Sequence, residues 1–229
     1  MLLPSNHYIK VEMRERTFYT AMFLYHVFVV WYRYTYPMIS DEDRTFAGRW
    51  KFLTHWNAML QIGYYLVCGV LANSASSRWD QLRDQVFYIV LLPLSVFVGT
   101  MFWGLYLYDR ALVFPAHLDE VVTPFFNHQK HTAVVLWTLL EAAVVHHNTP
   151  GYLEGHFVAG LFCSSYLAVV LWVHAAGGVW AYPVLGLLPW AGKAAFSGAS
   201  ILVYVAFYRL GLTLSRYLQN FPSPFFKID

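Results

Sequence analysis

Two side chains from distant parts of the sequence have the chemistry of a nucleophile and a general base. Thr54 supplies a hydroxyl and His131 an imidazole, and each lies at or near the start of an apolar stretch that can cross a membrane. Trp50 marks the interface, and Thr54 lies about 6 Å deeper by helical rise. Consecutive spans alternate in direction, so both residues lie near one membrane face. If the two helix faces converge, the pair suits nucleophilic catalysis.

Each of these residues also has an ordinary structural interpretation. A threonine inside a membrane helix usually donates to the carbonyl four residues earlier, and a histidine at a helix start usually caps it or lies at the interface. His55 adjoins Thr54, but consecutive helical residues diverge by about 100° and do not face each other. Spacing alone does not distinguish Thr54 from Ser95 or Thr132.

Other polar residues fall at membrane depth, where they are costly and therefore informative. Asn57 and Gln61 share a helix face with Thr54, because the spacing is i, i+3, i+7. Hydrogen bonding between helices is the ordinary role of such amides. Glu141 shares a face with His131 about 15 Å further along the helix. That carboxyl group must be protonated, paired or facing a wet cavity.

The composition predicts a membrane protein. Of the 229 residues 58% are hydrophobic, 19% aromatic and only 12% charged, which leaves too little polar surface to cover a soluble domain. The formal net charge of +2 gives no nucleic-acid footprint. Cys68 and Cys163 lie in apolar runs and are expected to be inert packing thiols. We therefore predict an all-α, polytopic membrane bundle.

Apolar stretches of about 20 residues set the predicted architecture. Pro93 is expected to kink the third stretch. The uncharged segment 155–192 is too long for one helix, so Gly177-Gly178, Pro183 and Pro189 break it around an aromatic connector. We predict one domain over residues 1–229 with six transmembrane helices, at about 17–37, 50–73, 85–108, 131–147, 153–175 and 191–214.

The basic residues give a weak preference for one orientation. Eight Lys and Arg fall on the side of the two termini and seven on the opposite side. By the positive-inside rule both termini are expected in the cytosol. We expect an integral multi-pass protein of the plasma membrane or the endoplasmic reticulum.

Several short segments occur in the order found in one known family. They are Gly48-Arg49-Trp50-Lys51-Phe52-Leu53-Thr54, Tyr108-Asp109-Arg110 with Phe114-Pro115, Asn127-His128-Gln129-Lys130-His131-Thr132, Glu141, His146-His147, and Trp172-Val173-His174 followed by Trp180-Ala181-Tyr182-Pro183. In combination they resemble the androgen-induced gene family of multi-pass membrane proteins. The resemblance runs from about residue 48 to residue 215.

The resemblance implies a hydrolase that cleaves fatty-acid esters of hydroxy fatty acids. In that family a threonine of the WKFLT segment and the second histidine of the NHxxH segment are catalytic, and here these are Thr54 and His131. It also implies six spans with both termini cytosolic. The substrate is then a lipid ester that enters from the bilayer among the membrane lipids. No metal or other cofactor is expected, and no nucleic acid.

The group that orients His131 is not identified by the sequence. Glu141 shares its helix face but lies too far along the helix for direct contact. Asp109 has a suitable depth, although Arg110 beside it is a natural ion-pair partner. His174 is expected near the same membrane face and is a further supporting candidate.

Other supporting roles have several candidates each. Asn57, His128 and backbone amides are candidate donors to the oxyanion of the reaction intermediate. The free carboxylate of the substrate is expected near the interface, where Lys51 or Arg110 would attract it.

Two other functional classes stay open. The first is a membrane oxidoreductase with a His-ligated metal or haem, because His128 and His131 have His-x-x-His spacing and imidazole is a common iron ligand. Against it, the chain has no series of HxxHH boxes, and His146-His147 lies about 22 Å of helix away on the opposite side. The second is a non-enzymatic regulatory or lipid-binding bundle.

Overall fold

Helices make up every regular element of the chain over the residues that the structure describes. The computed structural model describes residues 6–36, 39–72, 76–149 and 152–220. This confirms the predicted all-α class. The long helical stretches are α1 (Asn6–Thr35), α2 (Leu53–Leu71), α3 (77–109), α4 (124–144), α5 (Tyr152–Gly177) and α6 (Trp190–Asn220). Shorter helical turns lie in the connections, at Asp41–Arg44, Gly48–Lys51, Arg110–Leu112, Ala116–Glu120 and Pro183–Leu187.

Three helical stretches among the described residues are long and apolar enough to cross a membrane, namely Arg78–Leu112, Gly155–Gly177 and Trp190–Leu218. They overlap the predicted third, fifth and sixth spans. The other three predicted spans overlap α1, α2 and α4 in position. The predicted ends of the first two spans, at residues 37 and 73, lie outside the described residues. The number of six spans therefore stays a prediction.

Helix α3 lies at the centre of the bundle. It packs against α2, α4 and α6. The most apolar stretch of α3 is 61% buried inside the protein. The corresponding stretches of α5 and α6 are each only 22% buried, so these two helices keep most of their apolar surface on the outside. Large rings and aliphatic side chains fill the core, including Tyr19, Tyr65, Phe87, Tyr88, Leu94, Tyr204 and Tyr208.

A π segment interrupts α3 where the sequence predicts a kink. The helix is α-helical over Ser77–Val86, has π geometry over Phe87–Leu91 and is α-helical again over Leu92–Asp109. Pro93 lies two residues after the π segment and cannot donate a backbone hydrogen bond. The wider π turn is a common way to accommodate such a break in the hydrogen-bond ladder.

Helix α4 begins seven residues earlier than the predicted fourth span, at Pro124 rather than at His131. Thr123 caps this start, because its hydroxyl accepts from the N–H of Phe126 at 3.2 Å, and proline is favoured in the first turn. The prediction that His131 opens the helix is therefore wrong. Three segments with α, π and α geometry make up α4: Pro124–His128, Gln129–Ala133 and Val134–Val144.

A buried ion network determines where α4 ends. The carboxylate of Asp84 on α3 lies 2.9 Å from Arg83, accepts from the ring of His147 at 2.8 Å and accepts from the N–H of Asn148 at 2.8 Å. These contacts hold residues 147 and 148 against α3, outside the helix that ends at Val144. The predicted continuation of this helix to residue 147 is wrong, because α3 supplies stronger partners for the segment than another helical turn does.

The polar face of α2 bonds to α3 inside the core. Gln61 Nε2 donates to Ser95 Oγ at 2.9 Å, and Ser95 Oγ donates to Asn57 Oδ1 at 3.2 Å. All three side chains are fully buried. This is the structural role that intramembrane amides usually have. The contact holds α2 in register against α3 and thereby positions the first turn of α2.

Candidate active site

A cavity of about 550 Å³ lies within the bundle, and all six long helices contribute side chains to it. Its volume falls within the range of about 300–1,000 Å³ that is typical of ligand sites. Apolar side chains line most of it, among them Val98, Leu105, Phe162, Leu167 and Ile201. Thr54 from α2 and His131 from α4 both line this cavity. The fold thus places the two residues that the sequence analysis pairs on the lining of one cavity.

The Thr54 hydroxyl makes no hydrogen bond to any residue within the described ranges. Thr138 shows the ordinary alternative, since its hydroxyl donates to the carbonyl of Val134 at 3.1 Å. The corresponding carbonyl for Thr54 belongs to Trp50 and accepts from Trp56 Nε1 at 2.7 Å instead. Thr54 is the second residue of α2 and is half-buried, so its hydroxyl is available to the cavity.

The cavity distinguishes Thr54 from the other two hydroxyls that spacing leaves open. Ser95 bonds within the amide cluster of the core. The hydroxyl of Thr132 accepts from Trp103 Nε1 at 3.0 Å. Of these three described hydroxyls, Thr54 alone lines the cavity.

The geometry around His131 determines which of its ring nitrogens carries the proton. Its Nδ1 lies 3.0 Å from the carbonyl oxygen of Asn127 and 2.8 Å from Asn127 Oδ1. A carbonyl can only accept, so Nδ1 carries the hydrogen and Nε2 keeps its lone pair. The ring also stacks on Phe102 with centroids 3.5 Å apart and an interplanar angle of 6°. His131 is therefore held as a neutral base with Nε2 as its basic nitrogen.

A glycine on α3 permits the close approach of this histidine. A Cβ at Gly99 would lie 2.7 Å from the backbone carbonyl of His131 and 2.6 Å from Val135 Cγ2. These are distances that real Cβ atoms do not adopt, so any larger residue pushes α3 and α4 apart. Gly99 thereby brings Phe102, one turn further along α3, against the imidazole.

Sequence reasoning missed Asn127 as the group that orients His131. The i, i+4 spacing of the two residues is a helical contact, but it becomes visible only when α4 starts at Pro124. Asn127 is buried and also lines the cavity.

Asp109 and Arg110 are engaged elsewhere. Asp109 Oδ1 accepts from the N–H of Ala111 at 2.9 Å and caps the turn that follows. Arg110 donates to Asp119 at 2.8 Å and to the carbonyl of Phe114 at 3.1 Å. The hydrogen bond from Arg110 lowers the pKa of Asp119. The structure therefore pairs Arg110 with Asp119 rather than with Asp109, and neither candidate lines the cavity.

Glu141 and His174 also lie outside the cavity lining. Glu141 accepts from the hydroxyl of Tyr64 at 2.7 Å and lies 3.4 Å from His147, so it is a paired, fully buried group of the ion network. His174 stacks on Trp180 with ring centroids 3.8 Å apart at the end of α5. Neither residue contacts His131.

The remaining supporting candidates are structural as well. Lys51 is 2% exposed, and its ammonium donates to the carbonyls of Glu42 and Gly48, so it is not directed at a ligand. Asn57 belongs to the amide cluster of the core. His128 is exposed and hydrogen-bonds within α4. None of the three lines the cavity.

A group of charged side chains lines one end of the cavity and was not predicted. Arg33 on α1 forms a salt bridge of 2.6 Å with Asp43, and Arg49 lies 3.5 Å from the same carboxylate. Lys130 projects from α4 with its ammonium 5.1 Å from the centroid of the Phe126 ring.

The oxidoreductase alternative has no cluster of three or more metal ligands to support it in the described part of the chain. No group of three or more His, Cys, Asp or Glu within the described ranges is placed to hold a metal ion. His128 and His131, which motivate the oxidoreductase alternative, bond to Thr132 and Asn127 respectively.

Comparison with known proteins identifies the family. Residues 16–216 match the family described as FAR-17a/AIG1-like protein. The chain belongs to this family. The FAR-17a/AIG1-like assignment confirms the resemblance that the short segments carry. Together with the three apolar helices it makes the protein an integral membrane protein, while its orientation and its particular membrane stay predictions.

Two human relatives cover most of the chain. The human androgen-induced gene 1 protein is 30% identical over 193 residues, 78% of this chain and 81% of the relative. The human androgen-dependent TFPI-regulating protein is 31% identical over 214 residues, 86% of this chain and 93% of the relative. The rat androgen-dependent TFPI-regulating protein is 30% identical over 214 residues, 86% of this chain and 93% of the relative. No solved structure matches the chain.

Proposed function

We propose that this FAR-17a/AIG1-like protein is a membrane-embedded threonine hydrolase that cleaves fatty-acid esters of hydroxy fatty acids. One observation carries the proposal: the unengaged hydroxyl of Thr54 and the oriented imidazole of His131 line the same apolar cavity from different helices. The family resemblance supplies the substrate class, and the apolar lining fits long acyl chains.

The chemistry follows two steps of acyl transfer. His131 Nε2 accepts the proton of Thr54 as the hydroxyl oxygen attacks the ester carbonyl. The tetrahedral intermediate collapses, the imidazolium protonates the departing hydroxy fatty acid, and an acyl-threonine forms. His131 then deprotonates a water molecule that attacks this acyl group. Collapse of the second intermediate releases the fatty acid and returns the proton to Thr54.

The first turn of α2 supplies a donor for the developing oxyanion. The N–H of Leu53 donates to the hydroxyl of Tyr182 at 2.9 Å, and the N–H of His55 donates to the carbonyl of Phe52 at 3.0 Å. Between them, the N–H of Thr54 has no acceptor among the described residues. A helix N-terminus also favours negative charge by its dipole. We assign the oxyanion interaction to this backbone amide rather than to Asn57 or His128.

Covalent labelling tests the proposal directly. We expect a fluorophosphonate probe to form an adduct on Thr54 in membranes that contain the protein, because an activated hydroxyl attacks the phosphorus of the probe, displaces fluoride and becomes phosphonylated. Peptide mass spectrometry locates the adduct, and Thr132 serves as the internal control. Absence of an adduct together with absence of ester turnover would favour the non-enzymatic lipid-binding alternative and overturn the proposal.

Replacement of Asn127 tests how His131 is oriented. We expect Asn127→Leu to lower kcat by about 10-fold to 100-fold, a part of what a general base contributes, because the backbone carbonyl of residue 127 still holds Nδ1. The exposed His128→Ala variant is the matched control and should turn over ester like the wild type. Equal rates for Asn127→Leu and wild type would show that the side chain does not orient the base. The assay is steady-state ester hydrolysis in membranes with matched expression.

A further inference from the structure

The charged end of the cavity holds more positive groups than its acids neutralise. Asp43 is shared by Arg33 at 2.6 Å and Arg49 at 3.5 Å. Glu42, which also lines the cavity, lies 2.8 Å from the ring of His117. Lys130 forms no ion pair with any acid of the described residues. The described part of the cavity lining therefore holds three Lys or Arg side chains against two acids, and none of the acids lies within ion-pair distance of Lys130.

Two of these cations border the same aromatic ring. The Arg33 guanidinium carbon and the Lys130 ammonium are each 5.1 Å from the centroid of the same Phe126 ring. Arg33 Nη1 is buried and has no acceptor among the described residues. Because a buried donor without an acceptor is unfavourable, a negatively charged acceptor at this end of the cavity would be favoured beside Arg33 Nη1 and Lys130.

Lys130 lies on the same cavity lining as the proposed reacting groups. It borders a small recess together with Thr54, and it lines the main cavity together with Thr54 and His131. A ligand whose acid lies at Lys130 would therefore place its chain in the apolar part of the cavity, past the nucleophile and the base.

We propose that Lys130 and Arg33 form a carboxylate-binding subsite that selects lipid esters carrying a free acid. This inference rests on the proposed hydrolase function and adds its specificity determinant. The sequence analysis suggested Lys51 or Arg110 for binding the substrate carboxylate. Both are bonded to other groups, Lys51 to the carbonyl of Gly48 and Arg110 to Asp119. The substrate acid bonds the Lys130 ammonium and the unpaired Nη1 of Arg33, while its alkyl chain contacts the apolar lining.

A pair of substrates that differ only in charge tests the subsite. We expect the wild type to hydrolyse a fatty-acid ester of a hydroxy fatty acid with a kcat/KM at least about tenfold above that of the methyl ester of the same compound, the size of one charge-assisted hydrogen bond. Lys130→Met should remove this preference mainly through KM on the free acid, and Lys130→Arg should keep most of it. The exposed Arg44→Met, outside the cavity lining, is the control for net charge and should keep the preference.

A binding measurement separates the subsite from the catalytic proposal. Palmitate should raise the thermal unfolding temperature of the purified wild type and of Thr54→Ala, methyl palmitate should raise it less, and Lys130→Met should lose the difference. If wild type shows this pattern but hydrolyses neither ester, the hydrolase function fails while the subsite stands. If wild type hydrolyses both esters equally, or if palmitate and methyl palmitate stabilise it equally, the subsite is overturned without any variant.

Discussion

Replacing Thr54 or His131 with alanine is expected to lower kcat/KM for a fatty-acid ester of a hydroxy fatty acid by at least about 10³-fold. A neutral hydroxyl is a poor nucleophile near pH 7, so loss of the base is nearly as damaging as loss of the nucleophile. The two residues act as one unit, and the double variant should be no slower than either single variant. Ester turnover in membranes with matched expression measures all three.

Hydroxyl controls make this test specific. Thr54→Ser keeps an attacking oxygen and should keep a measurable part of the activity. Thr132→Ala removes a hydroxyl that bonds to Trp103 outside the cavity lining and should leave turnover unchanged. Wild-type activity in Thr54→Ala or His131→Ala would refute the assigned mechanism, whatever the controls show.

The second large effect is expected on stability, from Asp84. Asp84→Ala should lower the free energy of unfolding by about 3–5 kcal/mol, the usual cost of leaving a buried ion-pair partner uncompensated. The variant removes the acceptor for Arg83, for the ring of His147 and for the backbone N–H of Asn148 at once. Thermal or denaturant unfolding of the detergent-purified protein measures the loss.

Asp80 provides the matched control for Asp84. Its side chain is 46% exposed and lies 3.8 Å from Arg83, so Asp80→Ala should change stability by about 0–1 kcal/mol. Because Asp84 lies outside the cavity lining, the folded fraction of Asp84→Ala should hydrolyse ester at the wild-type rate. Similar losses of stability in both variants would show that the buried network does not hold the end of α4.

Several properties of this protein follow from local sequence alone. The excess of apolar residues with few charges predicts membrane helices, because a bilayer requires backbone groups to bond within one helix. The short segments around Thr54 and His131 predict the family, and residues 16–216 confirm it. The direction of alternating spans also predicts that these two residues lie near one membrane face, and they line one cavity.

Packing of distant helices decided what the sequence left open. Thr54 could not be separated from Ser95 by spacing, because both are polar residues at membrane depth; the amide cluster engages Ser95 and leaves Thr54 facing the cavity. The partner of His131 depended on an earlier start of α4 and on a π turn. Lys51 and Lys130 each lie in one of the short segments that resemble the family. Lys51 is enclosed by carbonyl oxygens, whereas Lys130 lines the cavity. Periodicity defines which residues share a helix face, but the neighbouring helices define what that face meets.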